Sequence, residues 1–485
     1  MHNYNFIISF LLMTCLLFGV TSCEDFIERY PHDSIASEEA LASIEGVENT
    51  LNGIYYRMHQ GAYNHRNYNI VGELMSDQMK LTDVHGARLV PAPTNEEDAG
   101  FGLWQRLYND INRLNSILYY IDDIEGVSQE RYNNAKGQAL AMRGYFYFDL
   151  LKIYARPYLH QEPLVVGEPL GVVYRTEPFV GIDEKTFQAR GTIEEGYQLV
   201  LDDLTIAEGL LNDNDFPYYF SKTAVKALLA RLHLFMGNWQ QAIDYSEDVI
   251  DNAPTKLVEA ENYLDAFADA PGAESIFELN ITSENVISLE MSVAGTAYWE
   301  ANGPYLGEFI LRKDLADLLD EYGDMGDVRS DMYFWTEGRG GQYAPYQRKF
   351  ASHRGLAFWD NVRVIRMAEM YLIAAEAYAE MDELDDARDI LTDFREHRMD
   401  QAFAEVTLAT KEDIIDLILN ERRVEFFSEM SHRWFDLRRR GMDIPKGDLD
   451  EDPGLPLSFE DYRVVDRIPE REIAQNPNMI QNPGY

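Results

Sequence analysis

The chain has 485 residues and a mass of 55.9 kDa, with 46% hydrophobic residues, enough to fill one large core or several average domains. Lys and Arg number 42 against 84 Asp and Glu, a formal charge of −42, which argues against binding nucleic acid or docking on anionic lipid through a basic surface. Aromatics make up 12%, with 30 Tyr and 24 Phe, more than disorder tolerates and enough to supply flat faces that stack on a ligand.

The N-terminus reads as an export signal. Residues 6–20 form an apolar run too short for a comfortable membrane span, and residues 1–22 carry no charged side chain. The run ends in Val20-Thr21-Ser22-Cys23, which resembles a bacterial lipobox. Of the two cysteines, Cys15 lies inside the segment to be removed and Cys23 would become the first residue of the mature chain. Cys23 is therefore expected to carry acyl chains, each buried methylene contributing about 0.8 kcal/mol of membrane affinity. No later segment is apolar enough to span.

Beyond the leader the periodicity is helical. Trp104, Leu107, Tyr108, Ile111, Leu114, Asn115 and Leu118 share one helix face, and Ala135 to Tyr154 repeats the pattern with Ala139, Met142, Arg143, Phe146, Leu150 and Ile153. The turn around Asp122 to Ser128 should fold the two helices antiparallel. Prolines and glycines from Pro157 to Pro178 enforce loop, and a helix resumes from about Thr192 to Leu211. Between Lys222 and Pro254, the residues Ala230, Gly237, Trp239, Ala242, Tyr245 and Pro254 occupy tetratricopeptide offsets. A second copy places Ala375, Tyr378, Leu384 and Ala387 equivalently, with Asp382 where Gly is usual. Ala242 and Ala387 lie 145 residues apart, so the pairs are not tandem. The insertion, about 255–361, is rich in Gly and Pro and reads as loops with short strands such as Ser275 to Asn280. The expected fold class is all-α: interrupted tetratricopeptide-like helical repeats with a loop-rich insertion, in a single domain from 23 to 485.

Several motifs in order carry a family resemblance: Cys23-Glu24-Asp25-Phe26, Gly72-Glu73-Leu74-Met75-Ser76-Asp77, Trp104-Gln105-Arg106-Leu107-Tyr108, and Ala141 to Leu150. Arg366 to Leu372, Asn420 to Phe426, Arg433 to Arg439 and the terminal Gln481-Asn482-Pro483-Gly484-Tyr485 continue it. The chain resembles the SusD/RagB family of Bacteroidetes outer-membrane lipoproteins over residues 23–485. It departs at Met430-Ser431, where the family usually has Glu-Gly. The resemblance implies a surface lipoprotein that captures oligosaccharide, or in some members peptide, for a SusC-like TonB-dependent transporter. It implies binding without catalysis and a membrane contact through the lipid alone; no cofactor is expected and no metal-ligating residues are singled out. Glu24 and Asp25 are similar to the acidic signal that sends such lipoproteins to the cell surface.

Two other classes stay open on the residues alone, a secreted glycan-degrading enzyme and a repeat scaffold for protein partners. A glycosidase needs two carboxylates at a set distance, and with 84 of them no pair stands out. Gly-x-Ser-x-Gly, His-Glu-x-x-His and Gly-x-x-x-x-Gly-Lys motifs are missing. The cluster Arg422, Arg423, Arg433, Arg438 and Arg439 is expected to form structural ion pairs with Glu421, Glu425 and Asp436. Trp104, Tyr145, Phe146, Phe148 and Trp434 fall at core spacing. Ligand residues are expected in loops, where aromatic rings stack on sugar C–H faces. Tyr298 and Trp299, beside Gly295, Asn302 and Gly303, fit best. Tyr63, Asn64, His65 and Tyr68 form a second candidate group, with Trp335 and Trp359 as further possibilities.

Overall fold

Several helices in this chain, though not all, start at a Ser or Thr whose hydroxyl caps the first turn. The computed structural model describes residues 39–161, 170–179, 187–213, 216–282, 284–285, 287–351, 358–445 and 456–485; the lipobox and Cys23 lie outside them. Helix α1 (Ile44–Met58) opens at Ser43, whose Oγ accepts from the Gly46 N–H. Such a cap contributes about 1 kcal/mol. Helix α2 (Asn67–Met75) follows a π-type turn over 61–65 and leads to strand β1 (Met79–Leu81).

The periodic segments then appear where the spacing places them. Helix α3 (Trp104–Tyr120) and helix α4 (Gln129–Tyr154) are joined by a turn ending at the cap Ser128. They run antiparallel: the Tyr154 hydroxyl, at the end of α4, accepts from the Leu103 and Trp104 N–H groups at the start of α3. From Ala135 onward almost every α4 side chain is buried, because α1, α3 and α5 (Ile193–Leu210) surround it. Thr192 and Glu195 form a capping box at the start of α5.

The two repeat pairs are α6 (Lys222–Met236) with α7 (Trp239–Asn252), and α11 (Met367–Glu380) with α12 (Leu384–Glu396). Between them in sequence lie α8 (Tyr263–Ala268), β2 (Ser275–Leu279), α9 (Val293–Ala297), β3 (Phe309–Leu311), α10 (Lys313–Asp324), β4 (Tyr333–Glu337), β5 (Tyr343–Gln347) and β6 (Val362–Arg366). In space the pairs touch, since α11 packs against both α7 and α6. The helical row thus continues across the insertion as if it were absent. Gly237 ends α6 at φ 71°, and Asp382 holds the equivalent left-handed position after α11 at φ 62°. The chain finishes with α13 (Gln401–Ala404), α14 (Lys411–Phe426), α15 (His432–Arg439) and α16 (Glu470–Gln475).

Strands pair only in twos among the described residues, all antiparallel: β1 with β3, β2 with β6, and β4 with β5. The β2–β6 pair closes the insertion at its base. The fold is therefore all-helical in its frame, with few short strands and no closed sheet.

A buried ionic network fixes the insertion to this frame. Arg329 binds Asp327 and Glu421 at 2.6 Å, Arg398 binds Glu274 and Glu425, and Arg366 binds Glu274, Glu425 and Glu429. Lys349 joins through Glu429, and Arg395 through Glu421. Five cations meet five carboxylates, so the charges balance where neither sign could remain alone. Glu274, Asp327, Arg329 and Lys349 come from the insertion; Arg366 comes from β6, Arg395 from α12 and Arg398 from just beyond it, Glu421 and Glu425 from α14, and Glu429 from the turn after α14.

Candidate functional site

The loop that follows α9 is pinned at both ends. Ser292 caps α9 through the Gly295 N–H at 2.8 Å, and the helix ends as Tyr298 turns extended. The chain returns with the Leu306 N–H on the Gly295 carbonyl (2.8 Å) and the Glu308 N–H on that of Thr296 (2.7 Å). Residues 298–305 therefore form a held loop, turning at Asn302 with φ 69°.

Aromatic rings converge on this loop. Tyr298 meets Tyr305 edge to face, with centroids 4.7 Å apart, and Phe334 at 5.8 Å. Tyr305 continues to Phe358 at 6.0 Å. Alternation along the β4–β5 hairpin explains the arrangement: Phe334 and Tyr346 lie on the side facing Tyr298, while Trp335 and Tyr343 stack at 5.6 Å on the other. Tyr346 is fully buried, while Tyr298, Tyr305, Phe334 and Phe358 are half-buried, so each of these four keeps part of its surface in water. Glu300 and Arg348 stand close enough to Tyr298 to act on its phenol, which partial burial, then Glu300, holds above its ordinary pKa. It stays a neutral donor.

Trp299 is held on two sides. Its indole N–H donates to the Glu337 carbonyl at 3.1 Å, and its ring lies against Gly307, where a Cβ would come within 2.9 Å of Trp299 Cε3. Trp299 is a wedge under the hairpin, half-buried against Ile310, Ala344 and Tyr346. A loop from the N-terminal half borders the same face. The Asp83 N–H donates to Gln342 Oε1, the Gly86 N–H to Glu308 Oε1, and Arg88 pairs with Glu308 and Glu290. Asn302 lies in the same loop as Tyr298 and Tyr305, and Gln342 directly precedes β5, so both segments also carry a carboxamide. Together these groups offer stacking faces with amide and carboxylate partners for hydroxyls.

The second candidate group is corrected by the structure. Tyr63, Asn64, His65 and Tyr68 are fully buried, not displayed. The phenols of Tyr63 and Tyr68 donate to the two oxygens of Asp149 on α4, at 2.5 and 2.6 Å, and Lys152 completes the cluster at 2.8 Å from Asp149. Burial and the Asp149 charge push both phenol pKa values well up. The π-type turn folds a polar stretch inward, which composition alone does not show. Trp335 and Trp359 are half-buried.

The arginine cluster is structural. Arg422 and Arg439 pair with Asp436, Arg423 and Arg433 with Asp77, and Arg438 donates to the Lys152 and Ala155 carbonyls. Glu421 and Glu425 serve the ionic network instead. Trp104, Tyr145, Phe146, Phe148 and Trp434 are core residues. Tyr305, Phe334, Phe358 and Tyr343 were not singled out by sequence; the available signal was alternation across 333–337 and the Gly-Pro step before Tyr305. No group of His, Cys, Asp and Glu suited to a metal occurs among the described residues, and no helix there is long and apolar enough to cross a membrane.

Comparisons with known proteins give the family. A model described as SusD-like, starch-binding and associating with the outer membrane matches residues 25–234, and the SusD family model matches 345–485. A SusD-like protein of Formosa agariphila is 23% identical over 99% of both chains. Among solved structures, a SusD superfamily protein of Bacteroides thetaiotaomicron is 28% identical with a TM-score of 0.79, covering 91% of this chain and all of its own. A proposed sugar binding protein of Bacteroides vulgatus is 26% identical, also with a TM-score of 0.79, covering 91% of this chain and 99% of its own. The chain belongs to the SusD/RagB family.

Proposed function

We propose that this protein captures oligosaccharide on the face formed by Tyr298, Tyr305, Phe334 and Phe358, and delivers it unaltered to a SusC-like TonB-dependent transporter. Acyl chains on Cys23 hold it at the outer surface of the outer membrane, and residues 23–485 act as one binding body. The observation that carries the reading is the ring cluster on a pinned loop, half in water. The outer-membrane and starch-binding description of the matching family model and the sugar-binding role proposed for a solved relative support it.

Two measurements test it. Affinity electrophoresis in soluble starch, galactomannan and mixed-linkage β-glucan should retard the protein in at least one gel, with no shortening of the glycan. Purification from native membranes grown on that glycan should bring down a TonB-dependent porin. Loss of both results removes the reading. Cys23→Ala should leave the protein out of the membrane fraction, and a variant that stays there without its transporter would contradict the anchor.

A further inference from the structure

A second cluster of surface aromatics lies on the helical frame and shares no residue with the face above. Seven aromatic side chains are exposed among the described residues; two of them, Tyr56 at 49% and Tyr219 at 45%, line one cleft with Tyr218, and a third, Phe216 at 56%, lies against Tyr218. Phe216 lies nearly parallel to Tyr218, with ring planes 5° apart and centroids at 5.9 Å, and Tyr219 meets Tyr55 edge to face at 5.0 Å. Tyr56, Tyr218 and Tyr219 line a cleft of about 190 Å³ between the end of α1 and the segment after β2. Leaving such rings in water forgoes burial worth about 25 cal/mol per Å². The loss calls for an occupant.

The chemistry of the cleft narrows the occupant. Among the described residues, none of the side chains lining it is charged, in a chain of net charge −42. Asn52, Asn280 and Asn285 supply the polar groups, and His59 is held neutral because burial pushes its pKa down to about 4. The Asn285 amide nitrogen lies 3.1 Å from His59 Nε2, so that nitrogen accepts and the ring proton sits on Nδ1. Nδ1 is buried without a partner. Exposed tyrosines beside carboxamides and no charge suit a neutral polyhydroxylated ligand better than a protein surface or a polyanion.

We infer that the cleft between Tyr56 and Tyr219 is a second subsite for neutral glycan, separate from the face around Tyr298. This rests on the glycan-capture reading, and it makes the protein bivalent toward a long chain, raising apparent affinity by effective concentration.

The test compares wild type, Tyr56→Ala, the pair Tyr56→Ala/Tyr219→Ala, Asn280→Ala and Tyr298→Ala by affinity electrophoresis in soluble starch, galactomannan and β-glucan. Melting curves check the fold, and Tyr56→Ala, which removes a half-exposed ring, serves if the pair fails to fold. Tyr56→Ala should weaken retardation about three- to tenfold, the range of one lost stacking contact. Unchanged retardation in Tyr56→Ala and Asn280→Ala, with Tyr298→Ala impaired, overturns this subsite and leaves the capture reading standing. No retardation of wild type in any gel overturns both. Unchanged retardation with loss of porin co-purification in the pair variant also overturns it, assigning the patch to protein docking.

Discussion

Gly72 on α2 donates its N–H to Ser431 Oγ at 3.1 Å, and the same hydroxyl donates to the Tyr68 carbonyl at 2.5 Å. These bonds explain why serine serves at 431, a position with φ 52° where the family usually has glycine. The side chain offsets the left-handed strain by stitching α2 to the start of α15. The fit is close, because a Cβ at 72 would lie 2.4 Å from Ser431 Cβ. Gly72→Ala should cost about 1–3 kcal/mol by overpacking. Adding Ser431→Gly should recover part of that loss in denaturant melts, and a strictly additive double variant would contradict the contact.

Asp382 and Gly237 end equivalent helices in the left-handed region, where a side chain costs about 1–2 kcal/mol, less for Asp. Asp382→Gly should therefore raise stability by up to about 1 kcal/mol. Gly237→Ala should lower it by more, since its Cβ would also approach Leu159 at 2.9 Å. Negligible effects at both sites would show that the left-handed position constrains neither turn.

Glu425 receives Arg366 and Arg398 and lies within 3.4 Å of Arg329, all in the core. Glu425→Gln keeps the shape and strands the guanidinium charges. Breaking a buried pair in this way costs about 3–5 kcal/mol. The insertion should loosen first, visible as faster amide exchange in 274–281 and 327–349 than in α4. Uniform loss of protection would show that the network does not act at the seam.

The helical frame was legible because its signals are local. Periodicity gave α3, α4 and α5, and small-residue offsets gave both repeat pairs, down to the unusual Asp382. The candidate face was legible only in part. Tyr298 follows from its Gly-flanked loop, but the rings beside it come from residues 305, 334 and 358, joined by tertiary contacts that sequence spacing does not encode. Tyr63 and Tyr68 misled for the converse reason: a polar segment reads as surface unless its partner, here Asp149 some 80 residues on, is known.

Asp466 gives stability a pH dependence. It is buried, accepts from the Phe101 N–H at 2.8 Å, and burial pushes its pKa up to about 7, with that bond and Arg438 opposing. The folded state thus holds the proton more tightly than the unfolded chain, whose value is 3.8. The stabilisation is complete below about pH 4 and is lost as pH rises through about 7. Glu73, raised to about 8 by burial, acts in the same sense. Asp77 acts oppositely: against the cost of burial, Arg433 and Arg423 hold it down at about 2, so its contribution is lost only in strong acid. The melting temperature should fall between pH 5 and 8. Asp466→Asn should flatten that fall, and an unchanged slope would show that Asp466 is ionised throughout.

Tyr298 and Trp299 are neighbours in sequence with separable duties. Tyr298 meets Tyr305 and Phe334 in T-shaped contacts and keeps part of its surface in water, so Tyr298→Ala should weaken glycan binding about three- to tenfold, the worth of one stacking contact, with little loss of stability. Trp299 holds the hairpin through Glu337 and fills the space over Gly307. Trp299→Ala removes a hydrogen bond and a packed ring, so it should lower the melting temperature as well as the affinity, by letting β4, and with it Phe334, move away from Tyr298. Calorimetric titration with the best-bound glycan, run beside thermal melts, separates the two. If Trp299→Ala leaves the melting temperature unchanged while affinity falls, the indole is itself a stacking platform and the wedge assignment fails.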